Sequence, residues 1–424
     1  MFKLCNYLCN YNFYISLLLI SGSLLTLNCT NQNNQQSSIL GIDSLLQSEV
    51  NAEHVAGAVI QVMQDGKTLH RNAYGYADLY NYHLVKLDTP VVMTTDKMFD
   101  LASLTKMFST TFGIMMLVDR GEINLDAPVK TYLPEFSGGA KDSITIRHLL
   151  THTSGLYQWK PLYYHASTSQ GTRKYIASLP LEYKVGEARH YSDLGFMLLG
   201  YIIEQVSGQR LDQFMAENLY QPLGLKHTAF NPRQHGFTNF AATSQGNPFE
   251  YHMVADDNFG YHCTEDVNSW NGWRHYTLVG EVNDGNSYYA NQGIAGHAGL
   301  FSTIDDLQKM LNLLLAKGKF DGKQLISENV INEFLSKDKY GNGLGWAMDP
   351  DVISAEGAPP GTFGHTGFTG TNVVVMPAFN VSIILLTNRQ NVGPQPNGYY
   401  YNLNPTRQKI VDLVLTSLGK DGSE

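Results

Sequence analysis

The chain has 424 residues, 43% of them hydrophobic and 16% charged, which suits a globular fold with a sizeable core and excludes a disordered one. Lys and Arg total 29 against 38 Asp and Glu, a net charge of −9, which excludes nucleic acid as the expected partner. Of the four cysteines only Cys263 lies beyond residue 29, so the body of the chain can form neither an internal disulfide nor a Cys-x-x-Cys metal or redox site.

Residues 1–28 read as a signal peptide or membrane anchor: Lys3, then the apolar Phe13 to Ile20, then a small-residue break at Ser21-Gly22-Ser23. The apolar stretch is shorter than the roughly 20 residues of a membrane span. Cys29 stands where a bacterial lipoprotein carries its lipid, ahead of a polar tether over 29–38, although Asn28 replaces the small residue expected before it. A lipid anchor, an uncleaved anchor and secretion all place the rest in the periplasm or at the cell surface. The folded region, 39–419, starts near Ile39 with a short amphipathic helix. Val55–Met63, Asp65-Gly66 and Lys67–Tyr76 then read as a hairpin, since Asp-Gly favours a two-residue turn. Gly66-Lys67-Thr68 is no phosphate loop, because Gln61 stands where its first glycine should be and no helix follows.

Leu101 to Phe108 contains Ser103-Leu-Thr-Lys106 and opens an apolar helix that stops at Arg120-Gly121. Ser103 in the first turn and Lys106 three residues on share a face, and a serine needs such a neighbour to become a nucleophile. The motif alone is weak, since two fixed residues in four recur by chance. A mostly helical segment follows, about 123–235. Within it His148 and His152 have metal-ligand spacing but lack the glutamate of a zinc-protease motif and a third ligand, so they read as structural. Tyr191-Ser192-Asp193 begins a helix closed by Ser207-Gly208. Residues 236–299, with Trp270, Trp273, Tyr276, Tyr288 and Tyr289, read as loops forming a groove wall. Helices at Asp305–Ala316 and Ser327–Leu335 precede strands at 361–367, 372–377 and 381–387 and a helix at Thr406–Leu418. Strands at both ends with helices between predict an α+β fold, an α/β/α sandwich whose antiparallel sheet joins the N- and C-terminal segments around a helical insertion.

Ser103-x-x-Lys106, Tyr191-Ser192-Asp193 and His365-Thr366-Gly367 lie in one order along the chain. With Leu149–Gly155 and Gly296–Thr303, they make the chain resemble the class C β-lactamase and penicillin-binding-protein superfamily of serine hydrolases over about 40–390. Gly280–Asn286 and the anchored N-terminus look more like the penicillin-binding protein 4B branch, of D-Ala-D-Ala carboxypeptidases. The resemblance implies Ser103 as nucleophile of an acyl-enzyme, Lys106 and Tyr191 as proton carriers, and an oxyanion hole from the backbone N–H groups of Ser103 and Phe368. It also implies Asp193, His365, Thr366 and Gly367 as substrate-binding residues and requires neither metal nor cofactor. Expected substrates are peptidoglycan peptides, small acyl esters or β-lactams; a catalytically silent binding protein is the remaining alternative. No Gly-x-Ser-x-Gly occurs after the leader, against an α/β-hydrolase.

Two departures shape the expectation. Asp193 stands where relatives often carry Asn and should hold Lys106 charged, leaving Tyr191, its pKa lowered by that ammonium, as the base. His365 replaces a lysine and should be cationic only near or below pH ~6.5, so affinity for carboxylate substrates should fall between about pH 5.5 and 7.5. The Trp270 and Trp273 rings suit substrate contact as well as packing, His297 reads as structural, and Cys263 as buried and inert.

Overall fold

In the computed structural model, which describes residues 39–419, Asp65 and Gly66 take left-handed backbone (φ 51 and 74) and turn the chain between β1 (Gly57–Gln64) and β2 (Lys67–Tyr80). The leader over 1–28, Cys29 and the tether to 38 lie outside the described residues. The second strand runs past Tyr76 and pairs with β3 (Lys86–Val92), whose mostly exposed residues gave no alternating signal in the sequence. From the other end of the chain come β4 (Phe363–Thr366), β5 (Asn372–Met376) and β6 (Val381–Thr387). All six form one antiparallel sheet in the order β4-β5-β6-β1-β2-β3, with Val59 opposite Leu386 at the join. His365 therefore lies on an edge strand, as expected.

Successive residues of a strand face opposite ways, and both faces here are apolar. Ala58, Ile60, Val62, Val374, Ile383 and Leu385 pack against Ile42 and Leu46 of α1 (Ile42–Asn51), and against Ile410 and Val414 of the terminal helix Asn404–Ser417. Val59, Val373, Val375, Ile384 and Leu386 belong to the larger core, with Phe112 and Leu117 of α2 (Phe112–Asp119), Phe196 and Leu199 of α3 (Asp193–Ser207), and Leu307 and Leu311 of α4 (Ile304–Leu315). Each such side chain contributes about 1.5–3 kcal/mol by leaving water. The sandwich with helices on both faces is the fold class that the sequence predicts. Among the described residues no helix is long and apolar enough to cross a membrane.

Two departures from the predicted elements bear on the site. The helix after Ser103 is not α-helical throughout: Lys106–Thr111 winds as a π-helix before α2 begins. The wider turn accommodates inward-facing groups, and the Phe108 carbonyl accepts from the Tyr220 hydroxyl at 3.1 Å. The stretch 236–299 is not all loop either, since it holds strands Ala242–Gln245 and Thr277–Val279, the helix Pro248–Ala255 and a π-turn at Asn286–Ala290.

The segment after that π-turn crosses α3 at Gly296. A Cβ there would overlap the Phe196 carbonyl oxygen and stand 3.0 Å from Gly200 N, while the Gly296 carbonyl accepts from Thr110 Oγ1 at 2.6 Å. Gly296→Ala should lower unfolding free energy by about 1–3 kcal/mol through this overlap. Urea denaturation checks it, and unchanged stability would mean that the crossing is loose.

Candidate active site

Ser103 is delivered by a turn fixed at several points. Asp100, buried at the end of the short strand Phe99–Asp100, accepts from Ala102 N at 2.9 Å, and burial pushes its carboxyl up to about 6. Ala102 has φ 46, a left-handed conformation costly for a residue with a Cβ, by about 1–3 kcal/mol. Leu101 N donates to Leu300 O at 3.0 Å, and the Leu101 carbonyl accepts from Thr371 Oγ1 at 3.1 Å. The serine emerges at the mouth of the helix with Lys106 one turn below it.

Lys106 is fully buried. Its Nζ donates to Ser103 Oγ at 2.9 Å and to the His297 carbonyl at 3.2 Å, and makes an ion pair with Asp193 Oδ1 at 2.7 Å. Burial favours loss of its proton, but the charges of Asp193 and Tyr191 outweigh burial and raise its pKa, so the lysine stays an ammonium. That agrees with the expectation for Asp193. The expectation for Tyr191 fails. Its ring lies 4.8 Å from Lys106 Nζ, and the ammonium does pull its pKa down, yet burial of the phenol outweighs this and leaves the pKa raised. The Tyr191 hydroxyl is enclosed beside the Lys106 ammonium and the Ser103 hydroxyl, and interacts with both.

His152 secures the Tyr191 turn from both sides. Its carbonyl accepts from His190 N at 3.0 Å, its Nδ1 accepts from Ser192 N at 3.0 Å, and its ring centroid lies 4.5 Å from that of Tyr191. Burial holds the imidazole neutral, well below its usual pKa, which leaves Nδ1 free to accept. The residue itself has φ 58, a strained conformation for a side chain of this size. Ser192 Oγ accepts from Gly195 N at 3.2 Å, capping α3, so Asp193 enters the helix pointed at Lys106. His148 instead closes a capping box with Thr145. Both histidines are structural, as read.

His365 corrects a second expectation. It is 5% exposed, and burial and the Lys106 charge depress its pKa to about 3, so it carries no charge in the range where a carboxylate could use one. Its Nδ1–H donates to the Thr366 carbonyl at 2.7 Å, and its ring is 5.9 Å from that of Tyr191. Gly367 is required by close approach, since a Cβ would press on Thr371 Oγ1 and Leu101 O. Phe368 follows. Neither Ser103 N nor Phe368 N donates within the described residues, while the Phe368 carbonyl is drawn away by Arg389 Nη2 at 2.7 Å. Ser103 and Phe368 both line the cleft that the serine hydroxyl faces.

Ser103, Tyr191, Asp193 and Phe368 line one cleft of about 360 Å³, whose wall includes Trp159, Phe249, Tyr261 and Tyr399. His365 and Thr366 lie on the strand alongside, with Gly367 just past its end, and none of the three lines the cleft. Trp270 and Trp273 do not line it either: they pack on one another and on Tyr163 and Tyr289. Cys263 is buried, its thiol pushed up to about 11 by burial. The sequence reading missed Glu250, Asp284 and the ring of His297, which also line the cleft. Their signal lay in Gly280–Asn286 and Gly296–Thr303, which carry Asp284 and His297. Ligand-type atoms of Asp193, Asp284 and His297 come within 4.8 Å of one another, but the Lys106 ammonium already supplies a cation there.

A buried lysine and a phenol beside one hydroxyl at a cleft define an active-site serine hydrolase. The Beta-lactamase family profile matches residues 42–404, and the chain belongs to that family of serine hydrolases. It is 34% identical over 405 residues to the N-acetylmuramyl-L-alanine amidase of Bacillus subtilis (strain 168), covering 89% of this chain and 88% of that protein. It is 32% identical over 358 residues to a "Putative D-alanyl-D-alanine carboxypeptidase" of Escherichia coli (strain K12), covering 79% and 80%. Among solved structures the fold matches EstCE1, a hydrolase with promiscuous acyltransferase activity, with TM-score 0.63, 21% identity and coverage of 87% and 97%. It also matches the octameric penicillin-binding protein homologue from Pyrococcus abyssi, with TM-score 0.63, 20% identity and coverage of 90% and 78%.

Two outcomes test the histidines. His152→Ala should cut kcat on a nitrophenyl ester about 10–100-fold by loosening Tyr191, and His152→Asn, whose Oδ1 can replace Nδ1, should restore most of it; equal losses would remove the clamp. His365→Gln should leave the affinity for acidic substrates unchanged between pH 5.5 and 7.5, because the imidazole gains a proton only as the pH falls toward 3. A step in that window that His365→Gln abolishes would overturn this.

Proposed function

We propose that the protein is an extracytoplasmic hydrolase of cell-wall peptides that works through a Ser103 acyl-enzyme, with the D-alanyl-D-alanine bond as substrate. The carrying observation is the Ser103 hydroxyl bonded to the buried ammonium of Lys106 at 2.9 Å, with the Tyr191 hydroxyl enclosed beside both. Support for the substrate class comes from the names of relatives 32–34% identical along most of their length, and for the location from the leader-like residues 1–28.

At rest the lysine holds its proton and so does the tyrosine, so neither is a ready base. Lys106 becomes one when its proton passes to Asp193 Oδ1, 2.7 Å from Nζ, turning a buried ion pair into a neutral pair that a dry site tolerates. Lys106 then takes the Ser103 proton as Oγ bonds to the carbonyl carbon. Tyr191 donates its proton to the departing nitrogen and is reprotonated through the Lys106–Asp193 pair. The oxyanion rests on the N–H groups of Ser103 and Phe368, each worth about 3 kcal/mol in the transition state. Asp193 thus has the role of proton store, and Tyr191 of acid rather than base.

A second reading, hydrolysis of small acyl esters, is favoured by one observation: among the described residues no Lys or Arg lines the cleft to receive a terminal carboxylate, and His365 is neutral. Intact mass spectrometry after incubation with penicillin should show an adduct in the wild type and none in Ser103→Ala. Release of D-alanine from a muropeptide supports the peptidase reading; turnover of short nitrophenyl esters without such release supports the esterase. A serine variant that still forms the adduct would refute the nucleophile.

A further inference from the structure

Asp284 sits in the most heavily braced loop of the cleft. The residue before it, Asn283, donates its N–H to Asp100 Oδ2 at 2.6 Å, and the Asn283 carbonyl accepts from the buried Arg274 Nη2 at 2.8 Å and from Asn247 Nδ2 at 2.9 Å. The residue after it, Gly285, donates its N–H to Glu250 Oε1 at 2.7 Å. Asn286 exchanges bonds with Leu162 N and Lys160 O. Two buried carboxyls, each costly to take from water, thus hold the backbone on either side of one cleft-lining side chain. The same Asp100 fixes the turn that carries Ser103, so Asp284 and Ser103 are braced by opposite oxygens of one carboxyl.

The side chain is half committed. Oδ1 accepts from His297 Nε2 at 2.8 Å and from Ser287 N at 2.7 Å, whereas Oδ2 makes no hydrogen bond within the described residues and the side chain is 20% exposed, toward the cleft. The other titratable side chains that line the cleft are engaged or protonated at rest. Asp193 is paired with Lys106, Tyr191 keeps its own proton, and His297 has Nε2 engaged and Nδ1 enclosed without a partner. Glu250 is pushed up to about 8, by burial first and then by the Asp284 charge, and so is protonated at neutral pH. Burial also works against ionisation of Asp284, but the contact with His297 overrides it and holds the carboxyl below its ordinary value.

From this geometry we infer that Asp284 is the catalytic base of deacylation, holding and deprotonating the water that releases the acyl group from Ser103. The inference rests on the acyl-enzyme reading of Ser103. Water oxygen bonds to the acyl carbon as its proton passes to Oδ2, and the carbonyl electron pair moves onto the oxygen held by the two backbone donors. The tetrahedral adduct then collapses with cleavage of the carbon–Oγ bond. Ser103 takes a proton from Lys106, and the proton on Asp284 restores the ammonium.

Stopped-flow kinetics with p-nitrophenyl acetate, with parallel intact-mass measurement, test it on Asp284→Asn, which keeps the Oδ1 bonds and loses the charge. The expected result is an unchanged nitrophenol burst, steady-state turnover lowered about 100-fold, and an acetyl adduct accumulating on Ser103. Hydroxylamine, which needs no base to attack an ester, should clear that adduct at a similar rate in wild type and variant. A normal burst with wild-type turnover overturns the role of Asp284 and leaves the nucleophile standing. A burst lost together with turnover makes Asp284 a structural part of the serine turn and also overturns the inference. No acetyl adduct on Ser103 in either wild type or variant, alongside turnover that survives Ser103→Ala, refutes the acyl-enzyme itself.

Discussion

The ion pair between Lys106 and Asp193 is the contact around which the site is assembled. A charged ammonium with no exposure to water is tolerable only when paired and hydrogen-bonded, and removing one partner of such a pair typically costs about 3–5 kcal/mol. The requirement ties three distant parts of the chain together. The helix after Ser103 supplies the cation, the start of α3 supplies the carboxylate, and the segment at Gly296-His297 closes the cage with a carbonyl. Once Asp193 is held, Tyr191 two residues earlier has little freedom, and His152 removes the rest.

Around that pair two histidines stay uncharged. His152 and His365 are both buried beside a permanent cation, and both serve as hydrogen-bonding struts in the neutral form. Carboxyl groups, by contrast, are brought close: Asp100, Asp193, Glu250 and Asp284 all lie near the serine. They coexist because each has a different answer to the cost of burial. Asp193 takes an ammonium, Asp284 an imidazole N–H, Asp100 two backbone donors, and Glu250 retains its proton. The cleft thereby offers a substrate a neutral or weakly negative surface, which separates it from sites that grip a carboxylate through a lysine.

Much of this was legible in the sequence where the signal is local. The Asp65-Gly66 turn, the helix from Asp193 to the Gly208 stop, and the strands at both ends follow from turn chemistry and period. Ser103, Lys106, Tyr191 and Asp193 were identifiable because their order along the chain matches a known set. What escaped depends on enclosure. The pKa directions of Tyr191 and His365 turn on how much water is excluded, and no spacing reports that. The π-winding of Lys106–Thr111 leaves the apolar pattern intact and so is invisible in it. Trp270 and Trp273 were candidates for the cleft because they are large and lie in a loop-rich stretch, yet Trp159, from an undistinguished segment, is the indole that reaches it. Asp284 and His297 were within stretches that had been singled out, but nothing in a linear reading pairs two residues across an intervening turn.

The central strands of the sheet are β1, from the beginning of the folded chain, and β6, from near its end, with the donor-bearing Gly367-Phe368 corner between β4 and β5. Such long-range pairing makes folding slow relative to helical proteins of the same size. It also sets an order of events during synthesis. A ribosome can release the serine, lysine and tyrosine segments long before β4 and β5, which complete the sheet beside them, exist. A chain truncated before β4 would contain every reactive side chain discussed above except His365 and still lack Phe368 of the cleft wall and the strands that close one edge of the sheet.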